Sequence, residues 1–118
     1  MYGHLDYIAR YIPTNSYTYN WHDFNDLICL ILKTIIEQGK GIEINTAGLK
    51  YGMPEPNPCL DIVKMYHDLG GEIITVGSDA HEVKYFAYRF DVVAEMLKNA
   101  GFNYYTIFNE RKPEFIRL

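Results

Sequence analysis

Gly77-Ser78-Asp79-Ala80-His81 sets a carboxylate and an imidazole two residues apart, directly after the apolar run Ile73-Ile74-Thr75-Val76. The run has the length and branched content of a buried strand. Residues just past a strand's C-terminal end are where α/β folds place their chemistry. A carboxylate oxygen and a neutral imidazole suit Zn²⁺, Mn²⁺ or Fe²⁺. The competing reading is local: Asp79 caps the next helix and His81 is an ordinary loop residue. Two donors do not make a metal site, so partners have to come from elsewhere in the chain.

His4, in Gly3-His4-Leu5-Asp6, closes a short first strand, Tyr2–Leu5, and is expected at the same mouth. Taken alone, a histidine at a strand end is more often a hydrogen-bonded structural residue. Asp6 either orients an imidazole as an outer acceptor or caps the following turn. Arg10 offers a guanidinium suited to bidentate phosphate binding, or a surface ion pair. Asn45 and Lys50 follow the second predicted strand and approach the same face. Lys50 adds positive charge to an anion site or stays solvated, and Asn45 joins that site or hydrogen-bonds its own loop. His22 and His67 fall in predicted helices without ligand-spaced neighbours and read as structural. The chain carries no GxSxG elbow, no phosphate-binding P-loop and no cysteine-based zinc motif.

The elements that position these residues alternate. Gly39, Gly70 and Gly101 lie 31 residues apart, each after an amphipathic helical pattern and before an apolar strand. Glycine suits that place because the residue after a helix often turns left-handed. Predicted strands cover Tyr2–Leu5, Ile42–Asn45, Ile73–Val76 and Tyr104–Ile107. The first helix is predicted over Trp21–Gln38, with Phe24, Leu27, Ile28, Ile31 and Ile35 on one face. Leu30 and Leu32 suggest cover on a second side. The second helix is expected to start at an Asn57 cap with Pro58 in its first turn, and to bury Ile62, Met65, Tyr66 and Leu69. The third carries Phe86, Phe90, Val93, Ala94 and Leu97. After it, Lys112-Pro113 leads into a short apolar tail, Phe115-Ile116. The order β-α-β-α-β-α-β implies parallel strands with right-handed crossovers, a small open sheet or about half of a barrel. The long loops Arg10–Asn20 and Thr46–Asn57 leave strand C-terminal ends and are candidates for function.

Composition sets outer limits. The 118 residues are 48% hydrophobic and 22% charged, which predicts a packed core and not disorder. The net charge of −4, without a run of Lys or Arg, argues against nucleic acid as the main partner. The 11 tyrosines are expected at half-buried or pocket-lining positions. Cys29 and Cys59 read as free structural thiols of a reducing compartment. The apolar run Leu27–Leu32 is too short to span a bilayer, and the expected location is cytoplasmic, with no membrane partner.

Three stretches then join. Gly3-His4-Leu5-Asp6-Tyr7-Ile8-Ala9-Arg10-Tyr11, Glu43-Ile44-Asn45-Thr46-Ala47-Gly48-Leu49-Lys50 and Gly70 through His81 resemble, in order and spacing, the histidinol-phosphatases of the PHP (polymerase and histidinol phosphatase) superfamily. Arg111-Lys112-Pro113 is similar to that family's C-terminal end. The resemblance implies a distorted (β/α)7 barrel with a multinuclear metal site at the strands' C-terminal ends. It implies hydrolysis of L-histidinol phosphate to L-histidinol and phosphate, in histidine biosynthesis. Matched position by position, it implies His4, Asp79 and His81 as metal ligands, Arg10 on the substrate phosphate, and Lys50 where the family more often carries arginine. The family opens on an His-x-His motif and adds further His and Glu ligands, none of which occurs here. Residues 1–118 therefore read as the C-terminal part of a single PHP domain, its N-terminal half absent and its ligand set for Zn, Mn or Fe incomplete.

Impaired catalysis by the chain alone follows from that reading. A half-barrel is also expected to expose a strand edge and an apolar inner face. The expected partners are thus a small phosphorylated substrate, together with further copies of the chain or a chain supplying the N-terminal half. The alternatives are a PHP phosphoesterase of other substrate, or a non-catalytic oligomeric remnant serving as a scaffold.

Overall fold

A computed structural model describes residues 1–12 and 19–118. The middle of the predicted loop Arg10–Asn20 lies outside the described residues.

A 3-10 turn, Tyr7–Tyr11, follows the first extended residues, and a second, Trp21–Phe24, leads into helix α1, Asn25–Glu37. The Asn20 side chain accepts the His22 amide hydrogen bond at 3.2 Å and fixes that entry. Ile28, Leu32 and Ile35 form the buried face of α1, spaced as a helix requires. The predicted faces are redrawn: Leu32, expected on a second side, joins the core, whereas Leu27, expected on the first face, points outward at 54% exposure, as does Leu30 at 62%.

Strand β1, Ile42–Asn45, pairs in parallel with β2, Ile74–Gly77, with Ile42 opposite Ile74 and Asn45 opposite Gly77. Between them run the short helix α2, Ala47–Lys50, and helix α3, Leu60–Asp68. Alternation puts Ile42, Ile44 and Ile74 on the fully buried face. The other face carries Glu43, Asn45, Thr75 and Gly77. The expected apolar inner face is therefore polar on these two strands. The predicted first strand shrinks to a single parallel bridge from Tyr2 to Ile42, because Asp6 and His4 turn left-handed at φ 59° and 57°.

Two further expectations change. Helix α3 starts at Leu60 with Cys59 as its cap, and not at Asn57. Asn57 is drawn away by backbone pairing with Asn45 and by a side-chain hydrogen bond to Asp6. Helix α4, Phe90–Asn99, excludes Phe86, which is 81% exposed in the segment before it. The all-parallel order also ends early. Strand β3, Tyr104–Asn109, pairs antiparallel with β4, Lys112–Arg117. Glu110 and Arg111 both adopt positive φ, 47° and 65°, which is the conformation of a tight two-residue hairpin turn.

Gly39, Gly70 and Gly101 all take positive φ after their helices, as their spacing predicts. One cluster of buried side chains joins α1, α3 and α4 to the strands, with Leu32, Ile62, Val63, Tyr66 and Leu97 at its centre. No described helix is long and apolar enough to cross a membrane.

Candidate phosphate and metal site

The parallel register brings the segments after Tyr2, β1 and β2 to one end of the sheet. Asp79 and His81 leave β2 there, both exposed, with His81 Nε2 4.0 Å from Asp79 Oδ1. Asp79 sits at φ 48°. Lys50, at the end of α2, donates from Nζ to the Asp79 carbonyl oxygen at 3.1 Å. The structure thus joins Lys50 to the Asp79–His81 pair.

Arg10 lies at the end of the first 3-10 turn among tyrosines. Its Nη1 donates to the Tyr7 hydroxyl, and its guanidinium carbon lies 3.6 Å from the Tyr51 ring centroid. Lys50 Nζ approaches the same ring at 5.6 Å and the Tyr85 ring at 5.0 Å. The sequence does not single out Tyr51. Ring–cation stacking has no periodic signature, and the general expectation of pocket-lining tyrosines is the only signal. His4 is exposed and lies against Tyr7 with ring centroids 4.8 Å apart and the planes tilted by 44°.

Asn45 is buried and used locally. Its Oδ1 accepts the Ala47 amide hydrogen bond at 2.9 Å and its Nδ2 donates to Glu43 Oε2 at 3.3 Å. It therefore fixes the start of α2, the helix that presents Lys50. Glu43 fills the space left by its neighbour: a Cβ added at Gly77 would meet Glu43 Oε1 at 2.4 Å.

Asp6 neither caps its own turn nor meets an imidazole. Its Oδ1 accepts from Asn57 Nδ2 at 2.6 Å and its Oδ2 from the Cys59 amide at 3.2 Å. The carboxylate so placed suits the positive N-terminal end of α3. Burial is the largest influence and pushes its pKa up to about 6, against the two hydrogen bonds that pull it down, with the nearby Glu55 charge adding to the rise. Beside Arg10 opens a cavity of about 650 Å³, lined in part by Asp6, Trp21, Tyr51, Glu55 and Asn57. That volume suits a small ligand.

No protein-family model matches the chain. Curated relatives do. A probable histidinol-phosphatase of Thermotoga maritima is 44% identical over 106 residues, which is 89% of this chain and 42% of the relative. A second, from Clostridium acetobutylicum, is 32% identical over 84% of this chain and 38% of its own length. The histidinol-phosphatase of Lactococcus lactis is 30% identical over 94% of this chain and 41% of its own. Over most of its length this chain is similar to the histidinol-phosphatases. It spans about two fifths of their length, in their C-terminal part. The crystal structure of the Lactococcus lactis histidinol phosphate phosphatase, complexed with zinc, L-histidinol and phosphate, superposes with a TM-score of 0.73 at 25% identity. That match covers 96% of this chain and 43% of the neighbour.

Zinc in the neighbour raises the question of fit. Asp79 and His81 are donors of the right kind, close enough to face one ion. Among the described residues, however, no three His, Cys, Asp or Glu side chains gather to hold a metal ion. The pair fits one side of a metal shell and not a whole one.

Proposed function

We propose that this chain supplies the phosphate-binding side, and part of the metal-binding side, of a metal-dependent phosphomonoesterase acting on L-histidinol phosphate. The observation that carries the reading is the Lys50 Nζ contact to Asp79, which unites a cation with a carboxylate–imidazole pair at one end of the sheet. The histidinol-phosphatase relatives and the phosphate-bound neighbour support the substrate class. Arg10 and Lys50 take the phosphate oxygens. Asp79 and His81 ligate a divalent metal, while His4, packed on Tyr7, stays outside that pair; zinc in the neighbour makes that ion the first choice, with Mn or Fe open and a multinuclear centre left to ligands from outside this chain. A bound metal supplies Lewis acidity toward the phosphate oxygens. Asp6 and Asn45 hold the segments that carry Arg10, Lys50 and the start of α3.

On this reading residues 1–118 are part of a distorted (β/α)7 barrel, and the isolated chain binds metal weakly and turns over little. The exposed Leu27 and Leu30 face of α1 supports association, with further copies or with a chain supplying the remaining units. Two free thiols, Cys29 and Cys59, support a cytoplasmic location.

The test replaces the matching segment of the Thermotoga maritima relative with this chain and follows phosphate release from L-histidinol phosphate. The expected chimera is active, and Asp79→Asn lowers its rate at least about a hundredfold, the upper range for residues that merely support a metal ligand. An active chimera indifferent to Asp79→Asn removes the metal assignment. An inactive but folded chimera favours a non-catalytic scaffold.

A further inference from the structure

We infer that Tyr51 is a positioning residue that holds Arg10 and Lys50 together as one anion-binding pair. The inference rests on the reading that these two cations take the phosphate.

The two side chains come from different segments and carry the same charge, so without an anion they repel. A single ring lies against both. Arg10 is 3.6 Å from the Tyr51 centroid, much nearer than its 5.4 Å and 5.2 Å approaches to Tyr7 and Tyr11. Lys50 Nζ is 5.6 Å from the same centroid and 5.0 Å from that of Tyr85, so Tyr51 is the ring it shares with Arg10 and Tyr85 a second one of its own. The negative face of an aromatic ring attracts a cation, Arg above all, and offsets part of that repulsion. Guanidinium has five N–H donors. One goes to the Tyr7 hydroxyl, and stacking on Tyr51 uses none of the others.

The ring itself is anchored through its backbone. Tyr51 closes α2, its amide donating to the Gly48 carbonyl at 2.9 Å. The first turn of α2 is tied to β1 by the Asn45 side chain. Position is therefore passed from the strand to the ring, and from the ring to both cations. Tyr51 is 58% exposed, so it contributes little to the core. A large exposed ring whose contacts are cations has its role at the surface, in preorganising the site.

The probe is inorganic phosphate, titrated into the 118-residue chain and followed by phosphorus NMR and by the Arg10 side-chain proton shifts. Tyr51→Leu is expected to weaken phosphate binding about three- to tenfold and to erase the ring-current shift on Arg10, with thermal melting unchanged. Tyr51→Phe, which keeps the ring face, is expected to bind within about twofold of the unsubstituted chain. Unweakened binding by Tyr51→Leu overturns the inference and leaves the phosphate reading intact, as does Tyr51→Phe failing as badly as Tyr51→Leu. Phosphate binding that Arg10→Ala and Lys50→Ala do not lower, or no binding at all, overturns the phosphate reading and this inference with it.

Discussion

Asp6 reaches from the start of the chain to the entrance of α3, where it holds both Asn57 and the Cys59 amide. The arrangement has a pH signature. Because burial raises the carboxyl to about 6, the folded state holds its proton more tightly than the unfolded chain does. The resulting stability is complete below the ordinary carboxylate value near 4 and is lost as pH rises through about 6. In chelator-treated protein, urea unfolding is expected to show wild type losing up to about 3 kcal/mol relative to Asp6→Asn between pH 4 and pH 7. A difference constant across that window would contradict the buried carboxylate. At this scale the Asp79–His81 pair is readable in the sequence, because donor chemistry and strand position are both local. Asp6 is not, because its partners are brought to it only by folding. Its choice between imidazole and turn is resolved by a third possibility, a helix entrance far along the chain.

Helix α1 shows what an element's sequence reveals and what it leaves open. The apolar residues identify a helix, but they outnumber the positions one face can bury. Ile28, Leu32 and Ile35 take the core, while Leu27 and Leu30 face out. Leu32→Ala is expected to cost about 2–5 kcal/mol, as removal of a fully buried side chain does. Leu30→Ala is expected to change the unfolding of the monomer by less than about 0.5 kcal/mol. The repeated glycines after the helices are equally readable, since a positive φ at a helix end restricts residue type. The terminal hairpin is hidden for the converse reason. Its turn is carried by Glu110 and Arg111, neither of which advertises left-handed backbone, and β4 begins with Lys112-Pro113. A proline is tolerated there because β4 is an edge strand. The second helix misleads through Asn57-Pro58, a reasonable local cap that Asp6 and Asn45 recruit instead.

For the whole molecule, the order of alternating elements is legible in the sequence, but not how the sheet ends. Among the described residues, parallel pairing is confined to Tyr2, β1 and β2, and the last two strands form an antiparallel hairpin. Nor is the open surface where the half-barrel argument puts it. The second face of β1 and β2 is polar, whereas exposed apolar groups lie elsewhere: Met1, Tyr2, Leu27 and Leu30 about α1 and the Tyr2 edge, and others, such as Val83, Phe86 and Phe115, toward the C-terminal end of the chain. Association is accordingly expected to depend on α1. Light scattering after size-exclusion chromatography is expected to give a mass above one chain, and Leu30→Glu to shift it toward the monomer. A monomer at every concentration would rule out self-association through that face.

Thr106 bridges the two small sheets. Its buried hydroxyl accepts the Ile74 amide hydrogen bond at 3.2 Å, and among the described residues no backbone ladder joins β2 to β3. The two small sheets thus meet along a seam that joins them through side chains, the Thr106 hydroxyl and the shared apolar core, and not through a backbone ladder. Such a seam can part without disturbing pairing inside either sheet, so α4 and the hairpin can breathe as one unit while β1 and β2 stay zipped. Deuterium uptake makes this visible amide by amide. In Thr106→Val, exchange at Ile74 is expected to quicken about tenfold, while Ile42, whose amide donates to the Ile73 carbonyl, stays protected. Equal acceleration at both would mean that the seam and the parallel pair open together.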